Sequence, residues 1–240
     1  MGDSLGMIML GYDTTVPVTV DDMIHHIKPV VKGAPNTFII GDMPFGSYNV
    51  SPEQAIETAN RLTKETLCDC VKLEGGVNMA PTIRRMVDAG INVMGHIGMT
   101  PQTATSFGGF KVQGKGVEAA EQLLDDALAL EEAGAFAIVL ECVPANLAAL
   151  ITERLTSAFT IGIGAGNGCD GQVLVVQDML QMTPGGFKPK MVRQFAQIGD
   201  AIVDAFHAYD SAVQSGDFPS AAESYKNLDP EVIDAVKSQE

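Results

Sequence analysis

The sequence predicts an α/β protein of the (β/α)8, TIM-barrel type, and three observations carry that expectation. Short apolar runs ending in an acid recur: Thr37 to Ile40 leads through Gly41 to Asp42, Cys70 to Leu73 leads to Glu74, and Phe136 to Leu140 leads to Glu141. Runs this short and this rich in β-branched residues read as strands buried on both faces, as in parallel sheets. Segments of helical periodicity alternate with them, which is the pattern of repeated βα units. No linker-like change of composition interrupts the 240 residues, so 1–240 reads as a single barrel domain with 219–240 as a C-terminal tail. In such folds the C-terminal ends of the strands form the functional rim, and each of these acids sits at a strand end.

Taken in order, Met1 to Leu10 is apolar apart from Asp3 and Ser4 and reads as the tail of a strand entering a loop. Thr19 predicts a helix N-cap, with Asp22 as a short stand-in for the capping-box Glu, and Pro29 and Gly33 limit that helix. After the strand to Asp42, Ser51-Pro52-Glu53-Gln54 starts a helix to about Glu65. The strand to Glu74 precedes a helix from Ala80 to Ala89, closed by Gly90, and a short strand from Ile91 to His96. Met99 to Lys115 is a polar, glycine-rich excursion, long enough to suggest a functional loop. A helix from Gly116 to Gly134 follows, then the strand to Glu141 and a helix from Ala145 to Leu155. Phe159 to Ile163 and Val173 to Val176 read as strands, and Met191 to Gln214 as a long helix. That makes six strands and a stub before Asp3, where a closed barrel needs eight.

Composition narrows the function. With 30 acids against 15 Lys and Arg, a formal charge of −15 and no basic run, the chain would repel nucleic acid and anionic membrane. Cys68, Cys70, Cys142 and Cys169 form no CxxC pair and read as reduced thiols. No apolar run approaches the roughly 20 residues that span a bilayer, and the N-terminus lacks signal-peptide character, so a cytoplasmic protein is expected.

Asp42, Glu74 and Asp3 are candidate metal ligands, because hard oxygen donors without a His/Cys cluster suit Mg²⁺. One such acid alone would more often be a solvated loop residue or a cap; several at the ends of buried strands favour a site. Lys72 lies two residues before Glu74, on the same face of its strand, where a cation can hold a carboxylate substrate or pair with a neighbouring acid. Glu141 is a candidate general base. His96, at the end of its strand, either lines the pocket or is a hydrogen-bonded structural residue. Gly166, Gly168 and Gly171 fit G-x-G-x-x-G, but the strand expected at Val173 to Val176 stands where a dinucleotide motif needs a helix. These glycines read instead as a tight turn or a place of close approach to the backbone.

A set of motifs in order resembles the ketopantoate hydroxymethyltransferase family: GDSLGM (2–7), GYDTT-VPVTVDDM, GDMPFGSY (41–48), VKLEGG (71–76), GHIGMTPQ (95–102), FKVQGK (110–115), VLECVP (139–144) and TIGIGAG-CDGQVLV-DM. The resemblance covers Gly2 to about Phe218. It implies a Mg²⁺-dependent barrel that transfers a hydroxymethyl group from 5,10-methylenetetrahydrofolate to 3-methyl-2-oxobutanoate through a Mg²⁺-stabilised enolate, giving 2-dehydropantoate for pantothenate and coenzyme A synthesis. Carried onto this sequence, it implies Asp3 and Asp42 as metal ligands, Glu74 completing or supporting their shell, and Glu141 as the proton acceptor. It further implies that Ser4 and Lys72 hold the keto acid, in contact with the two aspartates, and that His96 lies near the pocket. A homo-oligomer, ten subunits in bacterial members, is implied as well. The family's first strand and helix, and most of its second strand, precede the GDS motif, so a barrel incomplete at its N-terminus is expected. Two rival readings stand beside this one: a Mg²⁺-dependent lyase or mutase of α-keto acids, and a non-catalytic remnant of the barrel.

Overall fold

The computed structural model describes residues 1–103, 112–183, 186 and 188–238; the expected loop from Met99 to Lys115 therefore falls largely outside the described residues. Two compact units are distinguished, Met1–Val175 with Lys188–Val192, and Val176–Phe187 with Arg193–Glu240. The first unit contains the sheet. Its strands are β1 (Ile40–Asp42), β2 (Cys70–Lys72), β3 (Val93–Gly98), β4 (Ala137–Glu141), β5 (Phe159–Ile163) and β6 (Gly171–Gln172). They lie side by side in chain order, and every neighbouring pair is parallel. A doubly wound sheet would reverse its strand order at a switch point; an unbroken sequential order is that of a barrel wall. The register places Asp42 opposite Lys72, Lys72 opposite Met94, and Gly98 opposite Glu141, so the strand-end acids emerge at one end of the sheet.

Helices α1 (Leu5–Ile8), α2 (Val20–Gly33), α3 (Pro52–Thr66), α4 (Ala80–Asp88), α5 (Val117–Glu132) and α6 (Ala145–Arg154) belong to the same unit. The Thr19 hydroxyl accepts the Asp22 N–H while the Asp22 carboxylate accepts the Thr19 N–H, so the shorter acid completes the capping box. Ser51 caps α3 by accepting from the Gln54 N–H. Pro29 does not stop α2, which runs through it to Gly33. The proline sits on the exposed side, where water can satisfy the carbonyl that loses its donor, while Met23, Ile24 and Ile27 bury the opposite face.

The core between helices and sheet is built on Met23, Ile27, Leu62, Leu73, Ile83, Met86, Leu130, Ile138 and Leu140, all fully buried. Cys70, Met94, Ala137, Val139 and Ile163 form a second cluster, with residues of alternate pointing along β4 divided between the two. All five residues of β4 are buried, as a strand covered on both faces requires. The glutamate at the end of α5 adds a polar staple. The Glu131 carboxylate accepts the N–H groups of Thr156, Ser157 and Ala158 just before β5; these outweigh its partial burial and hold its pKa below the usual range.

Four sequence expectations need correction. The run to Asp42 is not buried throughout: Thr37 and Phe38 are exposed, Phe38 meets Phe136 edge-on, and regular pairing starts at Ile40. The first residues are not the tail of a regular strand. Met1 does exchange backbone hydrogen bonds with Ile40 and Asp42, and the chain then turns at once into α1. The strand expected at Val173 to Val176 lies earlier, at β6, because the pairing partners Ile161 and Gly162 on β5 meet Gly171 and Gln172. The long helix expected from Met191 begins only at Ile198, since the N–H groups of Phe195, Ile198 and Gly199 bond back to Met179, Leu180 and Gln181. In that second unit α7 spans Val176–Met179, α8 Ile198–Ser215 and α9 Pro230–Lys237, the last lying within the expected C-terminal tail.

Among the described residues no helix is long and apolar enough to cross a membrane. All four cysteines are free.

Candidate active site

The strand-end residues singled out in the sequence converge in the first unit. β1 delivers Asp42, β2 delivers Lys72 and, just beyond it, Glu74; β3 delivers His96 and β4 delivers Glu141. Asp3 arrives from the turn before α1, where its backbone N–H donates to Asp42 Oδ2 at 3.1 Å. Asp3, Asp42, Glu74, His96 and Glu141 are all buried. The Lys72 ammonium lies 3.2 Å from Asp42 Oδ2 and 3.3 Å from His96 Nδ1. His96 Nδ1 is also 3.6 Å from Glu74 Oε1, and its Nε2 is 3.2 Å from Glu141 Oε2. That last contact is close but not aligned as a hydrogen bond, and among the described residues Nε2 has no hydrogen-bond partner.

Two buried residues escaped the sequence reading. Gln102 donates its side-chain N–H groups to Asp3 Oδ2 at 2.7 Å and to the Met43 carbonyl at 2.9 Å. Its backbone N–H donates to Glu74 Oε2 at 3.1 Å, and its side-chain carbonyl accepts from the Tyr48 hydroxyl. The Tyr48 oxygen in turn accepts the Glu74 backbone N–H at 3.3 Å. Neutral polar residues after a strand carry no compositional signal; their only trace is that they end the GDMPFGSY and GHIGMTPQ stretches.

The electrostatics follow from packing acids together in a desolvated place. Burial, and then the charge of Asp42, push the Asp3 carboxyl up to about 6. Burial raises Glu74 to about 8 against the opposing pull of Lys72, with Asp3 and Asp42 adding to the rise. Burial alone would depress Lys72, but Asp42, Glu74 and Asp3 together hold it above its ordinary value and so fully charged. Burial and the adjacent Lys72 lower His96 and keep it neutral. Because an ammonium only donates, His96 Nδ1 facing Lys72 is the acceptor, which leaves the proton on Nε2, toward Glu141.

Buried carboxylates in excess of one lysine call for a further cation. Among the described residues no group of three or more His, Cys, Asp or Glu is arranged to hold a metal ion. Asp3 and Asp42 nevertheless stand side by side, and Glu74 Oε1 is buried without a hydrogen-bond partner. Two neighbouring carboxylates are hard oxygen donors of the kind Mg²⁺ accepts, and a bound cation would reverse the upward shifts of Asp3 and Glu74. Ser4, half-buried at the start of α1, makes no side-chain cap hydrogen bond among the described residues.

Glycine fixes one wall of the site. Gly98 has φ +92°, and a Cβ there would fall 2.3 Å from the Glu141 carbonyl oxygen and 2.9 Å from Val143. Gly98→Ala is expected to cost about 2–4 kcal/mol of stability and to displace Glu141, read as a lowered denaturation midpoint together with lost turnover. The glycine-rich loop after β5 has a packing explanation: a Cβ on Gly166 or Gly168 would fall 2.4 Å or 2.7 Å from the Cβ of Ala145 or Ala149 on α6.

Comparison with known proteins decides the family. The family model described as ketopantoate hydroxymethyltransferase matches residues 1–221. A 3-methyl-2-oxobutanoate hydroxymethyltransferase from Heliobacterium modesticaldum is 63% identical over 94% of this chain and 81% of its own. The enzyme of the same name from Clostridium novyi is 54% identical over 98% of this chain and 85% of its own. The chain belongs to the ketopantoate hydroxymethyltransferase family. This is a family of one-carbon transferases. Solved structures place its fold among wider neighbours. A 2,3-dimethylmalate lyase of the PEP mutase/isocitrate lyase superfamily has a TM-score of 0.53 at 16% identity, covering 98% of this chain and 77% of its own. Phosphoenolpyruvate phosphomutase from Streptomyces platensis has a TM-score of 0.51 at 11% identity, covering 94% and 78%. Likeness at that identity speaks for the fold alone, so the lyase or mutase reading loses to membership of the ketopantoate hydroxymethyltransferase family.

Proposed function

We infer that this chain transfers a hydroxymethyl group from 5,10-methylenetetrahydrofolate to 3-methyl-2-oxobutanoate, giving 2-dehydropantoate in pantothenate biosynthesis. The observation that carries this reading is the convergence of Asp3, Asp42, Lys72, Glu74, His96 and Glu141 at one rim, in a chain 63% identical to a relative of that name. A (β/α)8 barrel of which these six parallel strands form part of the wall belongs to the same reading.

Asp3 and Asp42 would hold Mg²⁺, with Glu74 supporting them. When bound, the ion supplies Lewis-acid stabilisation of the charge that develops as the keto acid loses its C3 proton. Lys72, kept charged by its buried acids, binds the anionic keto acid together with the Ser4 hydroxyl. Glu141 accepts the C3 proton, and the electron pair left on C3 forms the new bond to the folate-borne methylene carbon. The two C–N bonds of that carbon break with their electron pairs staying on the folate nitrogens, water supplies the hydroxyl oxygen, and the proton taken by Glu141 together with one from water ends on those nitrogens. His96 receives Lys72 at Nδ1 and turns Nε2 toward Glu141, 3.2 Å away, so one neutral imidazole stands between the group that binds and the group that takes the proton. Homo-oligomeric assembly, ten subunits by family resemblance, and a cytoplasmic location complete the reading.

The test is direct. The purified chain, given 3-methyl-2-oxobutanoate, methylenetetrahydrofolate and Mg²⁺, is expected to form 2-dehydropantoate, and chelation should abolish product. Calorimetry that shows no Mg²⁺-dependent binding of the keto acid would instead favour the remnant reading.

A further inference from the structure

We propose that Tyr48 and Gln102 are positioning residues for this site, a buried hydroxyl–carboxamide brace that fixes Asp3 and Glu74 relative to each other. The proposal rests on the assignment of Asp3 and Glu74 to the hydroxymethyl-transfer site. Its carrying observation is a closed set of hydrogen bonds. The Gln102 side chain spends both donors, one on Asp3 and one on the Met43 carbonyl, and its carbonyl takes the Tyr48 O–H. The Gln102 backbone N–H takes Glu74 Oε2, while the Glu74 backbone N–H closes the ring on the Tyr48 oxygen. Both residues are buried, Tyr48 at 2% and Gln102 at 3% exposure, so water cannot stand in for a missing partner.

Chemistry sets the residue types. Only a carboxamide both donates to a carboxylate and accepts from a phenol through one rigid plane; a glutamate here would set another charge against Asp3. The brace also chooses which oxygens are free. It occupies Glu74 Oε2 and leaves Oε1 buried, 3.6 Å from His96 and without a hydrogen-bond partner among the described residues. It occupies Asp3 Oδ2, while the Asp3 backbone is tied to Asp42. An acid near the start of the chain is thereby held at a fixed place beside residues on β1 and β2, which a floppy segment could not do. Hydrogen-bonded partners behind a ligand set its orientation, and losing one costs about 10–100-fold in metal affinity or activity.

Tyr48→Phe and Gln102→Leu keep the bulk and remove the brace, and three measurements on the full chain read the result. Titration calorimetry with Mg²⁺ alone is expected to show affinity reduced about 10–100-fold, with kcat reduced similarly and the KM for methylenetetrahydrofolate held within about twofold. Amide exchange should accelerate in peptides covering residues 1–9 and 70–80 but not in those covering 137–141. Wild-type Mg²⁺ affinity and kcat in both variants would overturn the proposal. So would exchange that rises uniformly along the chain with a lowered melting temperature, because that pattern assigns the pair to fold stability alone. If the wild-type chain forms no 2-dehydropantoate, the hydroxymethyl-transfer reading fails; localised exchange and the Mg²⁺ titration still decide the brace.

Discussion

Asp42→Ala is expected to lower Mg²⁺-dependent turnover roughly a thousandfold, about 4 kcal/mol of transition-state stabilisation. Asp42 has three duties. It offers a candidate metal ligand, it accepts the backbone N–H of Asp3, and it is the nearest counter-charge to Lys72. Removing it also leaves the lysine, its side chain only 13% exposed, with a weaker set of acids, so some stability should be lost too. Asp42→Asn keeps the shape and separates the two effects. Its fold should be nearer wild type in a thermal melt, while steady-state product formation stays at the level of the alanine variant. Full activity in either variant would remove Asp42 from the metal site.

Glu141→Ala is expected to block exchange of the C3 hydrogen of 3-methyl-2-oxobutanoate with deuterium from solvent. General-base contributions put the loss at about 10²–10⁴-fold. Binding of the keto acid with Mg²⁺ should be nearly unchanged, because in this reading Lys72, Ser4 and the aspartates hold it. Proton NMR of the exchanging position, alongside calorimetry of keto-acid binding, checks both parts. Exchange at the wild-type rate would dismiss Glu141 as the base, and lost binding would move it among the residues that hold substrate. Glu141→Gln is the shape-preserving control, since its backbone carbonyl sits against Gly98 and accepts the Met99 N–H.

In the proposed mechanism one lysine serves two neighbours: Lys72 Nζ reaches Asp42 and His96 together, and His96 Nε2 lies 3.2 Å from Glu141. A neutral histidine can accept from Lys72 at Nδ1. A protonated one would present two donors and lose the contact with Lys72.

Much of this was legible in the residues. The acid-tipped apolar runs marked β1, β2 and β4 and the ends that bear their acids, because a strand buried on both faces can bear an acid only where it leaves the sheet. Thr19 and Ser51 announced α2 and α3 because caps act over three residues, within reach of local sequence. The misreadings share a different cause. Val173 to Val176 has strand composition, yet β6 forms two residues earlier because pairing is chosen by what β5 presents. The segment after Met191 has helical composition, but hydrogen bonds to residues 179–181 delay α8.

By itself, then, the sequence determined the alternation of strands and helices and the family, and named the charged candidates for the site, because periodicity, caps and acid-tipped runs are local properties. Tertiary structure alone decided how those residues meet: that Asp3 lies against Asp42, that His96 stands between Lys72 and Glu141, and that Tyr48 and Gln102 close the back of the site. Those relations join residues dozens of positions apart, Asp3 to Gln102 among them. Their cause is the burial of polar groups, which must find partners wherever the parallel register brings them.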